Sequence, residues 1–171
     1  MKPITSRRAF TVRLAPGPLW QHMGSVQEFQ TWWPWLRDFS GGPPVTGALW
    51  HCTVRPPLLY RVRFDVHLDE VTAERRIAAT VMGDVVGTAL VELTPVAIGT
   101  EVAVSSTLEP RSPMLRSVAI MAPPLARRGH DWVFTRAALD FPDYVVEPAK
   151  AASASRAGAA SSARQIKRSG R

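Results

Sequence analysis

Few residues in this chain are placed to do chemistry, and His130 is the first of them. It sits in Gly129-His130-Asp131-Trp132-Val133-Phe134, where a polar pair enters an otherwise apolar helical stretch. An imidazole titrates near neutrality, so His130 could orient a carbonyl or act as acid or base. The plainer role is structural, with the ring held by Asp131 and a backbone carbonyl. Successive helix residues point about 100° apart, so no His130–Asp131 dyad is expected. Tyr60 and Ser106 are the other polar groups on apolar faces. The sequence offers no second acid or base to pair with His130.

The remaining reactive types read more plainly. His22, His51 and His67 are scattered, and no spacing resembles a metal-ligand set, so no metal and no other cofactor is expected. Cys52, the single cysteine, shares strand parity with Trp50 and Val54. That points to a buried, inert thiol rather than a nucleophile, and one thiol cannot form an intrachain disulfide. Gly83-Asp84 with Gly87 reads as a turn between strands, without the strand-to-helix setting of a phosphate loop. Arg61 and Arg63 alternate with acidic residues, as on a solvated strand face. Arg127-Arg128 could guide an anionic ligand, a reading that ends if substituting both leaves ligand affinity unchanged. The rings of Trp32, Trp33 and Trp35 either lid a ligand mouth or plug the open end of a curved sheet. Plugging is expected of at least two of them.

Periodicity supplies the elements that must carry these residues. A first strand spans Ser6 to Leu14 and ends at Pro16 and Pro18. Pro18 suits the first turn of a helix, in which Leu19, Trp20, Met23 and Val26 recur at helical spacing. Gly24-Ser25 breaks it, and a second short helix is expected from Val26 to Thr31. Strands follow at Gly47–Arg55, Tyr60–Asp69, Arg76–Met82, Gly87–Leu93 and Thr100–Leu108. The second of these is the clearest. Tyr60, Val62, Phe64, Val66 and Leu68 alternate with Arg61, Arg63, Asp65, His67 and Asp69, giving one buried and one wet face. Short strands with tight connections predict an antiparallel meander. Ser112 and Pro113 suit the N-cap and first position of a helix striped by Leu115, Val118, Ala119 and Ala122. Pro123-Pro124 must break or kink it. The pattern resumes from Leu125 to about Phe141, with His130, Val133, Phe134 and Ala137 on one face. One sheet with one long helix is an α+β, two-layer arrangement.

At 171 residues, a single domain with a sizeable core is the natural size class. No run approaches the ~18 apolar residues of a membrane span, and no apolar segment follows the basic residues near Met1. A soluble, unexported, cytoplasmic protein without membrane insertion is expected. The net charge of +7 invites a nucleic-acid reading, but residues 1–145 carry fifteen Lys+Arg against thirteen Asp+Glu. Residues 146–171 carry six basic residues against Glu147, so most of the basicity belongs to this Ala-, Ser- and Arg-rich end. The expected division is a globular domain over 1–145 and a disordered basic tail over 146–171. The tail would make at most weak contacts with anionic surfaces, and the near-neutral body argues against a specific nucleic-acid partner.

Taken in order, several short stretches carry a family likeness. They are Trp32-Trp33-Pro34, Gly47-Ala48-Leu49-Trp50, Tyr60-Arg61-Val62-Arg63-Phe64, Gly83-Asp84 with Gly87, Gly99-Thr100, and His130-Asp131-Trp132-Val133. Their order resembles the START-like, helix-grip superfamily often labelled SRPBCC, which includes birch-pollen allergens, aromatic polyketide cyclases and lipid-transfer domains. Two positions depart from it: Gly129 stands where a polar residue such as Asn is common, and Val91 where a Trp often occurs. The resemblance implies a curved antiparallel sheet of six or seven strands wrapped around a long C-terminal helix. It also implies two short helices after the first strand and a pocket between sheet and helix. The lining expected is Trp33, Trp50, Tyr60, Val62, Phe64, Val66, Val91, Val104, Met121, His130 and Phe134.

Three functions fit that frame. The first is a module that binds a hydrophobic or amphipathic small molecule, such as a lipid, polyketide or aromatic metabolite. The second is an enzyme of the polyketide cyclase or aromatase type, with His130 or Tyr60 as acid or base in a cavity that works mainly by positioning. The third is a tail-driven interaction protein with a vestigial cavity. Binding comes first, because nothing pairs with His130. His130→Ala or Tyr60→Phe separates the first two: an enzyme loses turnover while affinity survives, and a binder has no turnover to lose. A tryptophan-rich mouth is also compatible with a homodimer.

Overall fold

The computed structural model describes residues 3–56, 60–121, 124, 128–129, 132–133, 135–137, 140 and 145–148. Its frame is an antiparallel sheet that curls into a half-barrel. The strands are β1 (Ile4–Val12), β2 (Leu36–Ser40), β3 (Leu49–Val54), β4 (Val62–Thr72), β5 (Arg76–Gly83), β6 (Val85–Val96), β7 (Gly99–Pro110) and β8 (Val145–Pro148). The spatial order is β2-β3-β4-β5-β6-β7-β1-β8, so β2 through β7 form the meander that tight connections predict. β1 returns to close against β7, in register from Ile4↔Leu108 to Val12↔Thr100.

The expected strands are all present, with ends shifted by a few residues. β4 starts at Val62 and runs on to Thr72, and Tyr60 lies just before it. Two strands are additions. β2 occupies Leu36–Ser40, where the sequence shows only a Pro34 corner, and it pairs with β3 through a register shift between Leu36 and Asp38. β8 straddles residue 145, the expected boundary of the tail, and pairs with β1 at Phe10↔Pro148 and Val12↔Val145. Residues 149–171 lie outside the described residues. Gly87 is needed at the β6–β7 contact: its φ is +150°, and a Cβ there would overlap the Thr107 carbonyl.

Between β1 and β2 lie helix α1 (Pro16–Gly24), a 3₁₀ turn (Val26–Glu28) and the short helix α2 (Phe29–Trp32). Together they fill one end of the concave face. Leu19 of α1 packs against Val12, Leu93 and Val102, and Trp20 and Met23 reach both that cluster and a second one around Leu68, Ile77 and Ala79. A third cluster joins Val26, Phe29, Leu36 and Val54 with the surrounding tryptophans. Thr100, fully buried here, donates its hydroxyl to the Leu14 carbonyl at 2.7 Å, so no polar atom is stranded.

Helix α3 (Pro113–Met121) follows β7. Its start is capped as the sequence predicts, with the Leu115 N–H donating to Ser112 Oγ at 3.4 Å. Further helical residues occur at 124, 128–129, 132–133 and 135–137. Of Pro123-Pro124, where the break was expected, Pro123 lies outside the described residues and Pro124 is helical. Among the described residues no helix is long and apolar enough to cross a membrane.

Candidate functional site: a hollow at the unfilled end of the sheet

α1, α2 and the tryptophans around them cover only one end of the concave face. At the other end the sheet and the later helices enclose a cavity of about 280 Å³. Its floor is built from inward-facing strand residues: Val62, Phe64 and Val66 on β4, Val81 on β5, and Val85 and Ala89 on β6. Its roof is Leu115 and Val118 from α3 with Gly129 and Val133 from the following helical turns. Leu115 and Val118 lie three residues apart, and Gly129 and Val133 four apart, so each pair shares one helix face. The floor residues are mostly medium or small, and Gly129 adds no side chain to the roof. Space therefore remains where a bulkier set would close it.

Polar groups in the lining are few. Ser106 is only 4% exposed and projects from β7. Tyr60 lies where the chain enters β4, and burial pushes its phenol above the ordinary value. At neutral pH it is a protonated hydroxyl that can donate a hydrogen bond but does not serve as a base. Glu109 stands on the rim with its residue exposed.

The structure brings four of the expected lining residues together: Tyr60, Val62, Phe64 and Val66. Four others sit in the filled half. Trp33 packs at a tilt against Phe29, 5.0 Å between ring centroids, and donates Nε1–H to the Ala137 carbonyl at 3.1 Å. Trp50 packs 5.7 Å from Phe39 and donates Nε1–H to the Gly42 carbonyl at 2.8 Å. Val91 and Val104 pack against the Leu19 cluster under α1. Met121 points away from the hollow and is 85% exposed, as is the residue two turns before it, Met114, at 49%. The inner face of α3 is taken by Leu115 and Val118. His130 and Phe134 lie outside the described residues.

Sequence reasoning did not assign Val81, Val85, Ala89, Leu115 or Val118 to the cavity. The parity of Ile77, Ala79 and Val81 and the apolar stripe of α3 carried that signal. What was missing was the knowledge of which end α1 fills.

The other reactive residues fall elsewhere. His51 Nδ1 lies 2.6 Å from Asp65 Oδ1 and His67 Nδ1 lies 2.7 Å from Asp69 Oδ1, both on the outer face of the sheet. Hydrogen bonds from His67 and then Thr80 hold the Asp69 carboxyl below its ordinary value. Cys52 packs into the third cluster, and burial, followed by the nearby Asp65 charge, pushes its thiol up to about 12. Among the described residues no three His, Cys, Asp or Glu side chains are grouped to hold a metal ion.

No protein-family model and no curated protein matches the sequence. Solved structures share its fold. An aromatase/cyclase from a Streptomyces species superposes with a TM-score of 0.61 at 14% identity, over 81% of this chain and 88% of its own. A START superfamily protein from Mycobacterium smegmatis gives 0.59 at 10% identity, over 82% and 94%. A two-domain aromatase/cyclase of the steffimycin biosynthetic pathway gives 0.58 at 11% identity, over 81% of this chain and 48% of that one. The fold of this chain is START-like, as the order of its short motifs implies.

Proposed function

We propose that this protein binds a small hydrophobic or amphipathic molecule in the cavity between the sheet and the later helices. The observation that carries the reading is the 280 Å³ hollow, walled by aliphatic and aromatic side chains with Tyr60 and Ser106 as its placed polar groups. Ligand pockets have this character, mostly apolar with a few convergent polar atoms, and this one lies near the lower end of their ~300–1,000 Å³ range. It suits a small ring system or a medium-length chain. A chain of about ten carbons gains roughly 8 kcal/mol from burying its methylene groups, before the cost of association is subtracted. Moderate affinity, with orientation set by polar contacts, is the expected regime.

A cyclase-type reaction in the same cavity is the second reading. It draws on the two aromatase/cyclases that share the fold and on Tyr60, which lines the cavity and whose phenol burial keeps protonated, so that it can donate a hydrogen bond to a substrate oxygen. It gives the phenol an acid's role and leaves the base unassigned.

The test of binding is native mass spectrometry of the protein isolated from its source, followed by denaturation and identification of what is released. A stoichiometric small apolar or amphipathic molecule is expected. Protein that is empty, and that also takes up no member of a library of such molecules, contradicts the proposal.

A further inference from the structure

A second concavity, of about 340 Å³, opens on the other side of Pro56, which lines both spaces. Two elements divide consecutive residues between them. Val54 and Val133 line the cavity, while their neighbours Arg55 and Trp132 line the cleft. The spaces thus adjoin at one strand end and one helical turn, with Pro56 common to both.

The chemistry of the cleft is the reverse of the cavity's. Trp132, Arg136 and Asp140 follow at four-residue spacing and so share one side of the helical segment. Asp140 accepts the Nε1–H of Trp35 at 3.3 Å and pairs with Arg136 at 3.1 Å, so its carboxylate is already engaged. Arg37 is the extra residue of the β2 irregularity between Leu36 and Asp38, a device that re-aims a side chain. Arg55 follows the last residue of β3, and its backbone N–H is pinned to the Trp35 carbonyl at 2.9 Å. Neither Arg37 nor Arg55 has an ion pair among the described residues. Among the described residues, three arginines against one aspartate leave the cleft an excess of positive charge.

The opposite side of the cavity carries the opposite sign. Glu109 is on β7, four strand spacings from β3 in the sheet order, roughly 19 Å along the sheet. An anionic group is therefore repelled at one side of the hollow and attracted at the other.

We propose that this cleft holds the oxyanion head of an amphipathic ligand whose apolar body fills the cavity. The ligand class is then a carboxylate or phosphate monoester on a small apolar body. Guanidinium forks match both head groups in a planar, two-point geometry, and Trp35 and Trp132 screen the site on its apolar sides. The inference rests on the cavity being a ligand site, and its test separates the two claims.

Isothermal titration of the full chain with decanoate, decyl phosphate and decanol at neutral pH reads head and body separately. At low salt both anions bind about tenfold more tightly than decanol, and their advantage shrinks as salt rises. The larger of the two anionic gains tells a carboxylate from a phosphate ligand. The double substitution Arg37→Gln/Arg55→Gln removes the advantage and leaves decanol affinity unchanged. Equal affinity for all three molecules, or an advantage that survives the double substitution, overturns the head-group assignment while the cavity reading stands. Failure of all three to bind overturns the cavity reading, and this inference with it. Both arginines are exposed, so the variant should fold. If it does not, Arg37→Lys/Arg55→Lys keeps the charges without the forks, and must reduce the advantage without abolishing it.

Discussion

Cys52 illustrates how the inner face of the sheet treats a polar atom. Its side chain packs against the cluster of Val26, Phe29, Leu36 and Val54, and its pKa rises from 9.0 to about 12 because burial disfavours the thiolate. The folded thiol therefore keeps its proton where the unfolded one has lost it. Its contribution to stability is fully present below pH 9 and is lost as pH rises from 9 toward 12. Tyr60, also raised by burial, acts in the same direction in its own range. At mildly alkaline pH a disulfide reagent should label native Cys52 at least about 100-fold more slowly than the urea-unfolded chain, because the thiolate is the nucleophile. Equal rates would show that the thiol is not held as described. The residue scale was also where the sequence was most uneven. Strand alternation sufficed to put Tyr60, Val62, Phe64 and Val66 on one face. Ring size could not tell that Trp33 and Trp50 belong to the filled end, since that depends on where α1 lies.

At the scale of elements, α3 is the roof that can be perturbed without touching the lining. Ser112 caps it through the Leu115 N–H, and losing such a cap costs about 1 kcal/mol. Ser112→Ala is expected to lower the thermal midpoint by about 2–4 °C and to weaken binding of an apolar probe, while Ser112→Asp keeps both. Thermal scans and probe titrations of the two variants check this, and an alanine variant indistinguishable from the parent in both would mean that the cap does not hold the roof. Most elements were legible because their signals are local: alternation in β4, proline at the start of α3, glycines at turns. β2 and β8 were not. β2 is five residues with two charges, too short to show a period. β8 pairs with β1 from the far end of the chain, and no local pattern encodes that partner.

Over the whole molecule, the half-barrel is asymmetric. One end is filled by α1, α2 and their tryptophans; the other is hollow, with an acidic rim at Glu109 and an arginine cleft beyond Pro56. The family likeness was legible in the order of short motifs, and the solved structures agree with it at the level of fold. The hollow itself is a property of how the elements meet, which composition does not reveal. α3 also exposes Ile120 and Met121 to solvent, at 70% and 85%. Any binding assay must therefore distinguish the interior from this surface.

The most direct test fills the interior. Ala89 faces the cavity from β6, and Ala89→Phe places a ring in empty space on a strand that favours aromatic residues. Titration of a neutral fluorescent naphthylamine into both proteins should show one site in the parent. In the variant its affinity should fall at least about tenfold, a change of about 1.4 kcal/mol, with the thermal midpoint unchanged or higher. If the variant binds the probe as the parent does, the ligand lies on the surface and the hollow is not the binding site.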